Sequence, residues 1–168
     1  HLPKDSRFIG QISVLRDWKG HNDVMAAFNQ ISQKLPNHHL VFVGGGSSEG
    51  NLKETAAATS CADRIHFLGH KPDPWPYFRS LDLNILASTS SEGIPQSGMQ
   101  AMLAETPFLG TTTGGIPEII TDLETGYLTP PNSPASLAKA IIMILENTDQ
   151  TKRTTEAAKQ WSLLHCLE

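Results

Sequence analysis

Short apolar runs alternate along this chain with longer stretches whose apolar residues recur at helical spacing. Arg7–Ser13, Leu40–Val43, Arg64–Leu68, Leu83–Ala87, Pro107–Thr111 and Gly126–Leu128 read as strands. Between them the period changes. Val24, Phe28, Ile31 and Leu35 fall on one helical face. That helix is expected to start at Asn22 or Asp23, either of which can cap it, and to stop at Pro36-Asn37. Asn51–Cys61 is Ala-rich and helical, and Pro74–Leu81 gives a short helix in which Trp75 and Phe78 pack. The helix after Pro95 carries Met99 and Met102 on its core face, and another short helix is expected near Pro117–Ile120. Ser133-Pro134 opens a helix with a capping hydroxyl and a first-turn proline, and Leu137, Ile141, Ile144 and Leu145 form its apolar face. Thr151–Cys166 is a last amphipathic helix.

Strands that alternate with helices predict an α/β fold, a Rossmann-like open parallel sheet with helices on both faces. Ligands of such sheets bind outside the carboxyl ends of the strands. The loops expected at that edge are 14–20, 44–50, 69–73, 88–95 and 112–115. His38 and His39 fall at the opposite edge and read as surface residues.

Composition narrows the class. The 168 residues suit one domain spanning 1–168, and 39% hydrophobic with 18% charged residues is an ordinary globular balance. A net charge of -4 does not favour nucleic acid as a partner. No run has membrane-spanning length and no secretory signal opens the chain. Cys61 and Cys166 lie far apart and form no metal or redox motif, so a reduced, cytoplasmic setting is expected. The polar start His1–Ser6 and the Leu167-Glu168 end read as the cut ends of an excised domain.

Four loops carry candidate chemistry. Arg16 and Lys19 precede a helix and suit a diphosphate, though two solvated surface cations would look the same in sequence. Gly44-Gly45-Gly46 with Gly50 fits no dinucleotide fingerprint and reads as a tight turn passing close to a ligand or helix. Glu92 stands alone in a Ser/Thr-rich loop, as an acceptor for sugar hydroxyls or as a cap on the Gly93 and Ile94 amides. Gln96 and Ser97 open the following helix, where unpaired amides favour an anion, and Gln100 lies one turn on. His70, after Gly69, reads as a base, a stacking surface or a satisfied loop histidine.

Laid in order, LRDWKGHND, LVFVGGG, DRIHFLGHKPDPWPYF, DLNILASTSSEGIPQSGMQAMLAETPFLGTTTGGIPEII and TGYLTPPNSPASLAKAI resemble the C-terminal domain of retaining glycosyltransferases of the GT-B fold, family 4. PQSGMQAM is similar to the branch found in bacterial cell-surface polysaccharide enzymes, including those of lipopolysaccharide. The resemblance implies a donor site for a nucleotide-diphosphate-sugar such as a UDP-sugar or GDP-sugar, with no metal and no cofactor. By resemblance Glu92, Arg16 and Lys19 are the catalytic residues. Glu92 with the Gly93 and Ile94 amides would meet the sugar, and Gln96 and Ser97 with Arg16 and Lys19 the diphosphate. Gln100 would meet the ribose, Gly69 and His70 would lie by the base, Gly44 would belong to the donor site, and Gly114 and Gly115 would border the pocket. Two departures stand out: Gln100 replaces the second acid of the family pattern, and Gln11 replaces the usual Arg after Gly10. The glycan or lipid-linked acceptor would sit on an N-terminal domain absent from this chain, and the whole protein would act at the inner face of the plasma membrane. A sugar-nucleotide epimerase of the same fold and a non-catalytic nucleotide-sugar-binding module are the alternative readings.

Overall fold

The computed structural model describes residues 5–90 and 92–165. Six strands, β1 (Arg7–Ile12), β2 (His38–Val43), β3 (Ile65–Phe67), β4 (Leu83–Leu86), β5 (Phe108–Thr111) and β6 (Tyr127–Thr129), form one sheet in the order β3-β2-β1-β4-β5-β6. Every pairing is parallel. The expected Rossmann-like sheet is therefore what the chain forms. Its order reverses between β1 and β4, which is where ligands bind in such sheets.

Both faces are covered, which explains the nearly continuous apolar strands. Ile9, Leu40, Phe42, Leu83 and Ile85 point to one side. There they meet α1 (His21–Ile31), α2 (Glu49–Ala57) and α6 (Pro134–Glu146) through Phe28, Leu52 and Ile141. Ile12, Val41, Val43, Leu86 and Phe108 point to the other side. They meet α3 (Trp75–Phe78), α4 (Gln96–Leu103), α5 (Ile116–Ile119) and α7 (Thr148–His165) through Phe78, Met102, Ile116 and Ala158.

The boundaries shift where local hydrogen bonds override periodicity. α1 begins at His21 with no side-chain cap from Asn22 or Asp23, because the Val24 amide already bonds the Gly20 carbonyl at 3.1 Å. α2 ends at Ala57 rather than Cys61, since Ala58 and Thr59 turn back onto Thr55 and Ala56. Ser133 binds the Ser136 hydroxyl instead of capping α6. β2 starts two residues early, at His38, which is buried rather than on the surface. The Arg64 guanidinium causes this: it donates to the Leu35, His38 and Ser32 carbonyls and ties the turn before β2 to the turn before β3. Cys166, the expected end of the last helix, lies outside the described residues, as does Ser91 of the 88–95 loop.

The glycine run after β2 is the tight turn expected. The Gly44 amide bonds the Gly69 carbonyl at 2.9 Å, and the Leu15 amide bonds the Gly45 carbonyl at 3.1 Å. Three loops at the carboxyl edge are thus joined by backbone hydrogen bonds.

Candidate donor site at the strand carboxyl ends

The loop after β1 and the loop after β4 meet at the reversal of strand order. The Thr89 amide bonds the Trp18 carbonyl at 2.8 Å. Across this seam the Lys19 ammonium donates to both oxygens of Glu92, at 2.9 Å to Oε1 and 2.8 Å to Oε2. The two side chains are only 10% and 7% exposed. Ser88 Oγ also donates to Glu92 Oε2, and Thr111 Oγ1 holds the Ser88 carbonyl at 2.6 Å. The Trp18 ring lies under the ammonium, 4.3 Å from Nζ to its centroid.

This arrangement revises the sequence reading of three groups. Lys19 is not a solvated cation; it is buried, and it is Arg16 that is exposed at the rim. Glu92 caps neither Gly93 nor Ile94. Gly114 and Gly115 pack on the backbone of the Glu92 loop. The Gly115 amide bonds the Glu92 carbonyl at 3.0 Å. Gly114, at φ 54, would place a Cβ 2.0 Å from that same carbonyl oxygen, so only glycine fits there.

A cleft of about 250 Å³ opens among the loops after β1, β2 and β3. Ser13, Gly44, His70, Lys71, Pro74 and Gln100 are among its walls, and Gly69 flanks it through its bond to Gly44. α4 starts at Gln96, and the first bonds back to the Pro95 carbonyl come from Gly98 and Met99. The Gln96 and Ser97 amides have no backbone partner among the described residues, which is the expected state of a helix start that can receive an anion. Gly93 and Ile94 are exposed at the same edge. Larger hollows exist, about 570 Å³ between α1 and α6 and about 320 Å³ beside α7. The second of these holds Arg7, Asp82 and Pro107 at the amino ends of strands, so size does not locate the site in this fold.

Sequence reasoning missed the supports beneath the pair. Ser88 read only as the start of the 88–95 loop and Thr111 only as a strand end. Gln11 is fully buried in β1, and His21 is 1% exposed at the first turn of α1. Burial holds the His21 imidazole down to about pKa 4. The Arg16 carbonyl offsets this in part without reaching hydrogen-bond geometry at Nδ1, and the Lys19 charge lowers it further. Gln11 in place of Arg was the one available signal, because an amide costs less than a guanidinium to bury. Among the described residues no three His, Cys, Asp or Glu side chains gather in a metal-holding group, and no helix is long and apolar enough to cross a membrane.

Known proteins share both the sequence pattern and the fold. An N-acetyl-alpha-D-glucosaminyl L-malate synthase from Bacillus anthracis is 27% identical over 159 residues, 95% of this chain and 41% of that protein. The chain therefore spans about two fifths of such a relative. A structure of Anabaena Alr3699/HepE in complex with UDP superposes with a TM-score of 0.88 at 24% identity, covering 94% of this chain and 44% of that one. The C-terminal domain of a glycosyl transferase group 1 family protein (LpcC) from Francisella tularensis gives 0.84 at 25% identity, covering 94% and 85%. The sequence profile of glycosyl transferases group 1 matches residues 1–161, so the chain belongs to that family.

Proposed function

We propose that this chain is the donor-binding domain of a retaining glycosyltransferase that moves a sugar from a nucleotide-diphosphate-sugar to a glycan or lipid-linked acceptor. The observation that carries the reading is the Lys19–Glu92 pair, buried at the reversal of strand order beside an open helix start. A buried ion pair contributes little net stability, so its place at the ligand-binding edge favours a functional reason for keeping it.

Donor binding would exchange partners within this pair. Diphosphate oxygens take the Lys19 ammonium, with Arg16 and the Gln96 and Ser97 amides, and sugar hydroxyls take the freed Glu92 carboxylate. Gln100 accepts from one ribose hydroxyl and donates to the other. The base lies in the cleft by Gly44 and His70. As the glycosidic bond breaks, negative charge grows on the diphosphate, and Lys19, Arg16 and the helix start stabilise it in place of a metal. The sugar passes through an oxocarbenium-like state, and the departing phosphate takes the proton of the attacking hydroxyl on the same face. The acceptor belongs to a separate N-terminal domain, at the cytoplasmic face of the membrane. This chain alone binds donor without turning it over.

Titrating the chain with UDP, GDP and ADP, and then with their sugars, tests the reading. Binding of one nucleotide, with the sugar form sensitive to Glu92→Gln, is expected. Failure of every nucleotide and nucleotide sugar to bind, or sugar transfer by this chain alone, would overturn it.

A further inference from the structure

Beneath Lys19 lies a buried polar group that the donor chemistry does not use. Gln11 Nε2 donates to the Lys19 carbonyl at 2.8 Å. The same nitrogen lies 3.3 Å from His21 Nε2, and Ser13 Oγ lies 3.2 Å from His21 Nε2. Gln11 must present its nitrogen here, since its oxygen at that place would face another carbonyl oxygen. Gln11 Nε2 can only donate, so His21 Nε2 accepts from it, the ring proton sits on Nδ1, and the imidazole is neutral. Phe42 closes the side of the ring edge-on, with centroids 5.2 Å apart.

We infer that Gln11 and His21 are positioning residues that fix the Lys19 backbone so that its ammonium faces Glu92. Gly20 completes the clamp from the far side. Its φ of 72 and its packing on the residue just after β4, where a Cβ would lie 1.8 Å from the Ala87 carbonyl oxygen, hold the peptide that follows Lys19. The Lys19 carbonyl, the Lys19 amide on the Arg16 carbonyl at 3.0 Å, and Gly20 together leave the side chain one direction. The amide at position 11 takes the place of the family's usual arginine. What Lys19 is positioned for rests on the donor reading, whereas the clamp itself does not.

The test needs no nucleotide. Lys19 is acetylated in the native chain with an amine-reactive reagent, its rate read by mass spectrometry with Lys34 and Lys53 as internal references and folding checked by circular dichroism. In Gln11→Met, which keeps the volume and removes the donor, Lys19 should react about tenfold faster while the reference lysines do not change. His21→Leu should do the same. His21→Gln, whose oxygen can stand where Nε2 accepts, should return Lys19 to within about twofold of the wild type. An unchanged Lys19 rate in folded Gln11→Met overturns the inference, as do equal rates in His21→Leu and His21→Gln. If Gln11→Met does not fold, the two His21 variants decide. A wild-type chain that binds no nucleotide, while these rates behave as expected, removes the donor reading and leaves the clamp.

Discussion

Lys19 and Glu92, 73 positions apart in the chain, form a buried ion pair at the point where the sheet reverses its strand order. The pair joins the first half of the sheet to the second. Removing one partner leaves a charge stranded among low-dielectric surroundings, whereas removing both does not. Glu92→Gln and Lys19→Met should therefore each destabilise the chain by about 3 kcal/mol, and Lys19→Met/Glu92→Leu by clearly less than the sum. Urea unfolding measures all three. Additive losses would show that the two charges do not depend on each other.

Gly114 should be the least replaceable residue of the 112–115 loop. An alanine there keeps a left-handed backbone at a cost of about 1–2 kcal/mol and pushes its Cβ into the Glu92 carbonyl. Gly114→Ala should lower the melting temperature and weaken binding of a nucleotide sugar more than of the bare nucleotide, because the displaced loop carries Glu92. Gly50→Ala, on α2 with nothing within 4 Å of the added carbon, is the control and should do neither. Equal effects of the two substitutions would remove the packing argument.

What the sequence made legible follows from the range of each interaction. Strands buried on both faces announce themselves as apolar runs, and loops announce themselves through Gly44-Gly45-Gly46 and Pro95, so sheet, order of elements and site edge could all be read. The Lys19–Glu92 contact could not. A lysine in a loop reads as solvated unless its distant partner is known, and only the family resemblance brought the two into one site. Gln11, His21 and His38 were missed for the same reason. Gln11 is buried because the Lys19 carbonyl on another element accepts from it, and His38 because Arg64 fixes the backbone around it, and neither long-range contact advertises itself locally. Helix ends moved by a few residues because turns such as Thr59 onto Ala56 compete with the helical bond.

Arg16 should separate stability from binding. It is exposed, so Arg16→Ala should change unfolding free energy by no more than about 0.5 kcal/mol. If it forms a charged hydrogen bond to a donor phosphate, the same substitution should weaken nucleotide-diphosphate binding by roughly 1.5–3 kcal/mol and flatten its salt dependence. Calorimetric titration of the variant at two salt concentrations reads both. Wild-type affinity at low salt would leave Lys19 and the α4 amides as the only diphosphate ligands.

His21 should make the fold acid-sensitive in a defined window. Its pKa is about 4 in the folded chain against 6.5 for an unperturbed imidazole, chiefly through burial. Between those values the unfolded chain binds a proton that the folded chain does not, so stability falls as pH falls. The contribution is fully present above pH 6.5 and is lost progressively down to about pH 4, by about 3 kcal/mol in total. His38, His39 and His66, also lowered by burial, add to the same slope. Urea unfolding at steps from pH 7.5 to 4.5 should show this decline, and His21→Gln should reduce the slope without abolishing it, since the other three remain. An identical slope in His21→Gln would mean that His21 accepts its proton without unfolding, and that a charged imidazole is tolerated beneath Lys19.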